Sequence, residues 1–174
     1  AAKLGGQLLV ATAAEERRDL IGIVDWRIAE LERLGVDMRV NSYAEADTVR
    51  AEAPDLVIVA TGGVPDTDWF EGSELCDTVW DVLTGTVPGK SDVLVYDGTG
   101  RQAAASCALQ LARQGRSVCL ATPDDALAVE MSYIDKSSFR KRFAELGIRS
   151  LVDVRLEKVE RRGNALQATF RNEL

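Results

Sequence analysis

The sequence predicts an α/β fold, a parallel sheet connected through helices, with an antiparallel hairpin at its C-terminal end. Three observations predict it. A unit of helix, glycine and apolar strand recurs three times, at residues 22–40, 109–121 and 139–152, the order that parallel strands with helical crossovers require. An apolar run, Val93-Leu94-Val95-Tyr96, breaks at Asp97-Gly98-Thr99-Gly100 and passes into a helical stretch over 101–114. The tail then changes period: 156–161 and 165–171 alternate apolar and polar residues around a Gly163-Asn164 turn.

In chain order, Ala1-Ala2-Lys3-Leu4-Gly5-Gly6-Gln7 reads as a loop that enters apolar residues 8–10. It has no starting methionine and no strand before it, so a cut from a longer chain is expected. Ile21, Val24, Ile28, Leu31 and Leu34 recur at spacings of three and four, which predicts an amphipathic helix over 22–34. Gly35 stops it, and 36–40 follows as a strand. Residues 44–53 are helix formers with little apolar face, a short surface helix ended by Pro54. A fully apolar strand, 56–60, then enters Thr61-Gly62-Gly63. Pro65 and Pro88 bracket a crossover, 64–89, whose Trp69, Phe70 and Trp80 suggest packing more than flexibility. Residues 93–96 have the continuous apolar character of a buried parallel strand. The remaining strands are 117–121 and 148–152, each preceded by a helix and a glycine, Gly115 or Gly147.

A length of 174 residues allows one core or two small ones. With 46% hydrophobic and 28% charged residues the chain is too apolar for disorder. A net charge of −7 with no basic run argues against nucleic acid as a partner. No apolar stretch approaches the ~20 residues of a membrane span, and no signal-peptide pattern is present, so a cytoplasmic chain is expected. Cys76, Cys107 and Cys119 lack Cys-x-x-Cys spacing and read as reduced thiols, with no metal or cluster among them. Cys107 and Cys119 are expected to be buried small hydrophobes. The chain has no histidine. A Ser-His-Asp or Cys-His nucleophile system and His-based zinc catalysis are therefore excluded, and hydrolase readings fall sharply.

Gly98, Gly100 and Ala103 fit the spacing G-x-G-x-x-A between a strand and a helix. Such a turn can present backbone N–H groups to a phosphate, or it can simply be a tight strand-to-helix turn. Gly62 and Gly63 allow the same two readings, a turn or proximity to a nucleotide. A nucleotide site of this kind usually places an acidic residue at the end of the second strand. Here that strand ends in Thr122-Pro123, with Asp124 and Asp125 late, while Arg113 and Arg116 precede it. Trp26, Trp69 and Trp80 are read as packing residues. Glu15-Glu16-Arg17-Arg18-Asp19 reads as a solvated charge cluster at a helix start. Tyr133 and Lys136 are one residue short of the spacing that would put a Tyr–Lys catalytic pair on one helix face. No side chain stands out as acid, base or nucleophile, so no catalytic position is assigned.

Three stretches together resemble a known family. Lys3-Leu4-Gly5-Gly6-Gln7-Leu8, the run Leu56-Val57-Ile58-Val59-Ala60-Thr61-Gly62-Gly63, and Val93-Leu94-Val95-Tyr96-Asp97-Gly98-Thr99-Gly100 are similar to landmarks of the trimethylamine dehydrogenase / 2,4-dienoyl-CoA reductase group. These flavin oxidoreductases are related to Old Yellow Enzyme. The group joins an FMN-binding TIM barrel and a 4Fe-4S cluster to two Rossmann-like nucleotide domains of the glutathione reductase type.

The resemblance implies a partial FAD- or ADP-type domain over 1–86 and an NAD(P)-binding-like Rossmann domain over 87–174. Gly5, Gly6 and Gln7 match the loop after the adenosine-ribose strand of the first domain. Ala60, Thr61, Gly62 and Gly63 match the strand end near that nucleotide's pyrophosphate. Gly98, Thr99, Gly100 and Ala103 match the fingerprint of the second domain. FAD or ADP is the cofactor implied, with NAD(P)H at the second domain. FMN and 4Fe-4S are implied only for the barrel, which would be a partner within the same parent chain, and the parent is expected to be a homo-oligomer. Three functions follow: the nucleotide-binding portion of an amine-oxidising or enoyl-reducing flavoenzyme, a cofactor-free scaffold or oligomerisation module, or a free-standing NAD(P)-dependent reductase.

Overall fold

The computed structural model describes residues 2–86, 91–172 and 174. The chain divides into two compact units, Ala1–Ala13 with Arg17–Val64, and Ala14–Glu16 with Pro65–Leu174. The expected domain boundary at 86/87 and the Pro88-Gly89 end of the crossover lie outside the described residues.

The first unit holds helices α1 (Gln7–Ala11), α2 (Ile21–Arg33) and α3 (Ala46–Ala51). A 3-10 turn, Glu15–Leu20, leads directly into α2. The spacing of apolar residues predicted α2 to within a residue, and its Val24 is buried. The stripe does not stay covered: Leu34 is exposed, and Trp26, expected to pack, is 59% exposed with the Arg27 guanidinium 5.7 Å from its ring centre.

Two expected strands are absent from this unit. Residues 36–40 and 56–60 are irregular, with no strand pairing. Leu56, Val57, Ile58 and Val59 are all more than half exposed. A strand exists only against a neighbour that takes its backbone hydrogen bonds, and no described residue of this unit supplies one.

The second unit carries the expected parallel sheet. Strands β1 (Asp92–Tyr96), β2 (Ser117–Ala121) and β3 (Arg149–Leu151) pair in that order, all parallel. Helix α5 (Gln102–Arg113) connects β1 to β2, and α6 (Tyr133–Glu145) connects β2 to β3. The small residues Ala104, Ala105, Cys107 and Ala108 let α5 approach the sheet, where Leu109 and Leu120 are wholly buried. Each such leucine contributes about 2 kcal/mol of apolar burial. Phe139 and Phe143 of α6 complete the core edge-to-face, with ring centres 6.3 Å apart. Burial along β1 alternates, with Val95 buried and Leu94 40% exposed, so this strand is covered on one face where the sequence suggested two.

Strands β4 (Val154–Arg162) and β5 (Ala165–Asn172) form the expected antiparallel hairpin. A register shift between Leu156 and Lys158 inserts one residue, which turns both Leu156 and Val159 inward. The crossover is built as the aromatics suggested. Trp69 meets Phe70 and Tyr96 at 4.7 and 5.5 Å, and Tyr96 meets Phe170 at 6.4 Å. Helix α4 (Val79–Leu83) begins with a capping box in which Thr78 and Asp81 exchange backbone-to-side-chain hydrogen bonds. Among the described residues no helix is long and apolar enough to cross a membrane.

Candidate functional site

The glycine loops of the first unit come together. Gly5 and Gly6 both have positive φ and open the turn into α1. Gly5 lies against Leu9 and Val24, which fixes the loop on the helices. The Gln7 side chain reaches across to donate its Nε2 hydrogen to the Gly63 carbonyl oxygen at 2.9 Å, over a separation of 56 residues. Gly62, also at positive φ, sits beside the same Gln7 amide. Ala60 and Thr61 lie exposed in the segment that leads into it.

There is room beside Gly6, Gly62 and Gly63, though not beside Gly5. A Cβ at Gly6 would meet nothing within 4 Å, and at Gly62 or Gly63 it would meet only the Gln7 amide. The Gln7 hydrogen bond thus brings Gly5, Gly6 and Gln7 beside Gly62 and Gly63, two glycine-containing loops joined by one amide side chain.

The G-x-G-x-x-A turn of the second unit is built differently. Asp97, at the end of β1, is 2% exposed and turns its carboxylate into the loop. Its Oδ1 accepts hydrogen bonds from Thr99 N at 3.1 Å, Gly100 N at 3.0 Å and Thr99 Oγ1 at 3.2 Å. Its Oδ2 is buried without a hydrogen-bond partner. Burial pushes the carboxyl above the ordinary aspartate range; the Thr99 and Gly100 donors pull against that, and the charge of Asp124 adds to it.

Segment 124–131 packs over the same turn. Glu130 N donates to the Gly100 carbonyl oxygen at 3.0 Å, and Lys136 Nζ of α6 donates to the Val129 carbonyl oxygen at 3.3 Å. Asp124 does not face outward as a ribose ligand would. It accepts from Thr122 Oγ1 at 3.3 Å and lies beside Gly100. Ala103, the last fingerprint position, is exposed on the first turn of α5.

Sequence reasoning missed two residues here. The sequence marks Asp97 only as a turn former, although an aspartate directly before Gly-Thr-Gly is the pattern by which Asx side chains capture nearby amides. Glu16, by its pattern, belongs to a solvated cluster. Its side chain is 7% exposed and accepts from Arg113 at 2.5 Å, with Arg142 at 3.7 Å.

No protein-family model matches the chain. It is 52% identical over 126 residues to the multifunctional alkene reductase/demethylase OYE of Caballeronia cordobensis, covering 72% of this chain and 19% of that protein. It is 38% identical over 165 residues to the probable N-methylproline demethylase of Rhizobium meliloti, covering 94% of this chain and 24% of that protein. In the solved 2-naphthoyl-CoA reductase complex with 2-naphthoyl-CoA, the matching region has a TM-score of 0.85 at 23% identity, over 97% of this chain and 25% of that one. That last likeness shows a shared fold. The chain belongs to the trimethylamine dehydrogenase / 2,4-dienoyl-CoA reductase family of flavin oxidoreductases and spans 19 to 24% of the length of the curated relatives it matches.

Proposed function

We propose that this chain supplies the adenine-nucleotide-binding region of an FMN/iron–sulfur flavin oxidoreductase that demethylates or dehydrogenates amines, or reduces enoyl substrates. The observation that carries the proposal is the Gln7–Gly63 hydrogen bond, which joins two glycine loops distant in sequence, with room left beside Gly6, Gly62 and Gly63. The names of the relatives, an alkene reductase/demethylase and an N-methylproline demethylase, support the reaction classes.

FAD or ADP is the group this reading assigns to the two loops. Backbone N–H groups of the Gly5-Gly6 and Gly62-Gly63 loops would face its phosphates, and Gln7 would hold the two loops in register. Bound FAD would supply a redox carrier, whereas ADP would supply only a structural anchor. In this reading residues 1–86 and 87–174 are portions of two nucleotide domains of the glutathione reductase type. The exposed apolar run 56–59 supports it, because such a run suits a strand whose neighbours come from elsewhere in the parent protein. The FMN barrel, the 4Fe-4S cluster, homo-oligomeric assembly and a cytoplasmic setting belong to the same proposal. For the second unit, the carboxylate already held in the Gly98–Gly100 turn favours the scaffold reading.

Calorimetric titration of the full-length protein with ADP and with FAD tests the first site. Saturable binding is expected, weakened at least about tenfold, or 1.4 kcal/mol, in Gly62→Val with an unchanged circular dichroism spectrum. Equal affinity in the folded variant would overturn the assignment.

A further inference from the structure

We propose that the Gly98–Gly100 turn is closed from within, with the Asp97 carboxylate and segment 124–131 standing where a phosphate would have to sit, so that the second unit takes no pyridine nucleotide.

A fingerprint turn works through two properties. Its backbone N–H groups point at the phosphate, and its glycines leave room for the ligand to approach the backbone. Neither property is available here. The N–H groups of Thr99 and Gly100 both point at Asp97 Oδ1, and Arg101 N lies 3.3 Å from Thr99 Oγ1 as its donor. Donors already held by a buried carboxylate cannot serve a second anion without breaking that arrangement.

The room above Gly100 is also used. A Cβ there would lie 2.6 Å from Val129 Cγ2 and 3.0 Å from Asp124 Oδ2, with Glu130 Cγ at 3.5 Å. The close approach that this glycine permits is made by the protein's own chain. Two hydrogen bonds hold that chain in place, Glu130 N to the Gly100 carbonyl oxygen and Lys136 Nζ to the Val129 carbonyl oxygen. Asp97 and Asp124 add negative charge where a pyrophosphate would enter, and like charges at this range disfavour the ionised ligand. Exposed Arg101 is the cationic side chain on the turn itself. The residues present therefore do not fit a dinucleotide. Asp97 serves as a positioning residue: it sets the turn and thereby the start of α5.

Hydrogen exchange read by mass spectrometry on the full-length protein tests this, with ADP-ribose as a pyrophosphate probe that carries no hydride, followed by NADH and NADPH. The amides of Thr99, Gly100 and Glu130 should exchange slowly without any ligand, and none of the three compounds should change them. Rapid exchange at Thr99 and Gly100 in the free protein would overturn the proposal. So would added protection of residues 97–103 on binding. In Asp97→Asn the turn keeps an acceptor, and exchange at Thr99 and Gly100 should stay slow; in Asp97→Gly it should rise at least tenfold. Protection confined to residues 5–7 and 62–63 reports on the first-unit site, so failure of one assignment is distinguishable from failure of the other.

Discussion

Arg113, in the last turn of α5, holds Glu16 at 2.5 Å, although 97 residues separate them in the chain. Arg142 of α6 approaches the same carboxylate at 3.7 Å, and Glu16 is nearly buried while Arg113 keeps 31% exposure. One short acidic segment thereby ties two helices of the second unit. Removing the charge leaves two neighbouring guanidinium groups less well compensated, Arg113 keeping the more exposed Glu15 carboxylate at 3.1 Å. Glu16→Gln should lower the unfolding free energy by about 1.5–3 kcal/mol, the range for hydrogen bonds to charged groups. Glu15→Gln is the control. Its side chain is 63% exposed and pairs with Arg113 at 3.1 Å, so it should change stability by less than about 1 kcal/mol. Urea denaturation of both variants checks the ranking.

That pair marks the limit of what the sequence disclosed. A run of Glu-Glu-Arg-Arg-Asp has no apolar period, so nothing local distinguishes the one acid that is buried by distant arginines. The sheet was more legible, because apolar runs and glycine stops are local signals: β2 falls where its pattern put it. Helix α6 begins six residues before the predicted 139 because Tyr133 and Ile134 are exposed and the four residues after them are polar, so its first turns carry no buried stripe. The available signal was Ser132 with Asp135 three residues on, and Ser132 Oγ does accept from Asp135 N at 3.2 Å. The runs 36–40 and 56–60 failed for the opposite reason. Their pattern is clear, but strand formation depends on a pairing partner that pattern cannot supply. At the candidate sites, glycine spacing pointed to the Gly98–Gly100 turn and the family resemblance to the Gly5–Gln7 loop, yet neither says what faces a turn. Gln7 at Gly63 and Asp97 at Gly100 are tertiary facts.

Gly72 should be among the least replaceable residues of the crossover. At φ 82 it packs against β4, and a Cβ would collide with the carbonyl oxygen of Val159. That approach lets Glu71 bridge to the strand, accepting from Val159 N at 2.8 Å while Lys158 Nζ reaches its carboxylate at 2.8 Å. Gly72→Ala must either push the crossover off the hairpin or strain the backbone, at a cost of about 2–3 kcal/mol. A thermal melt should show the loss, and a melting temperature equal to wild type would mean that the crossover moves freely.

The three cysteines should separate in a thiol-labelling experiment. Cys107 is 1% exposed on α5, and burial pushes its thiol up to about 12. Cys119 is partly covered in β2, and Cys76 is exposed before α4, though burial followed by the Asp77 and Glu74 charges raises its thiol as well. Reaction requires both access and thiolate. Iodoacetamide on the native protein at mildly alkaline pH should therefore modify Cys76 first and Cys119 slowly, and leave Cys107 untouched until the unit unfolds. Peptide mapping reads the order, and early labelling of Cys107 would contradict the packing of α5 on the sheet.

Asp97 should leave a signature in the dependence of stability on pH. Its carboxyl is raised above the ordinary aspartate value chiefly by burial, so the folded chain keeps this proton to a higher pH than the unfolded chain. Where the folded state binds more protons, stability falls as pH rises. The penalty is absent below the unfolded value, grows between the unfolded and folded values, and is complete above the folded one. Asp97→Asn removes the titration while keeping an acceptor for Thr99 and Gly100, and its amide offers hydrogens at the buried position of the partnerless Oδ2. The subtraction removes the contribution of groups that do not interact with Asp97. Subtracting urea stabilities, variant minus wild type, should give a value that increases as pH rises through the unfolded pKa, about 3.9 for an unperturbed aspartate, and levels once the folded carboxyl is ionised. A difference that shrinks with rising pH would mean that the ionised carboxylate stabilises the turn, and the three donors to Oδ1 would then outweigh the burial of Asp97.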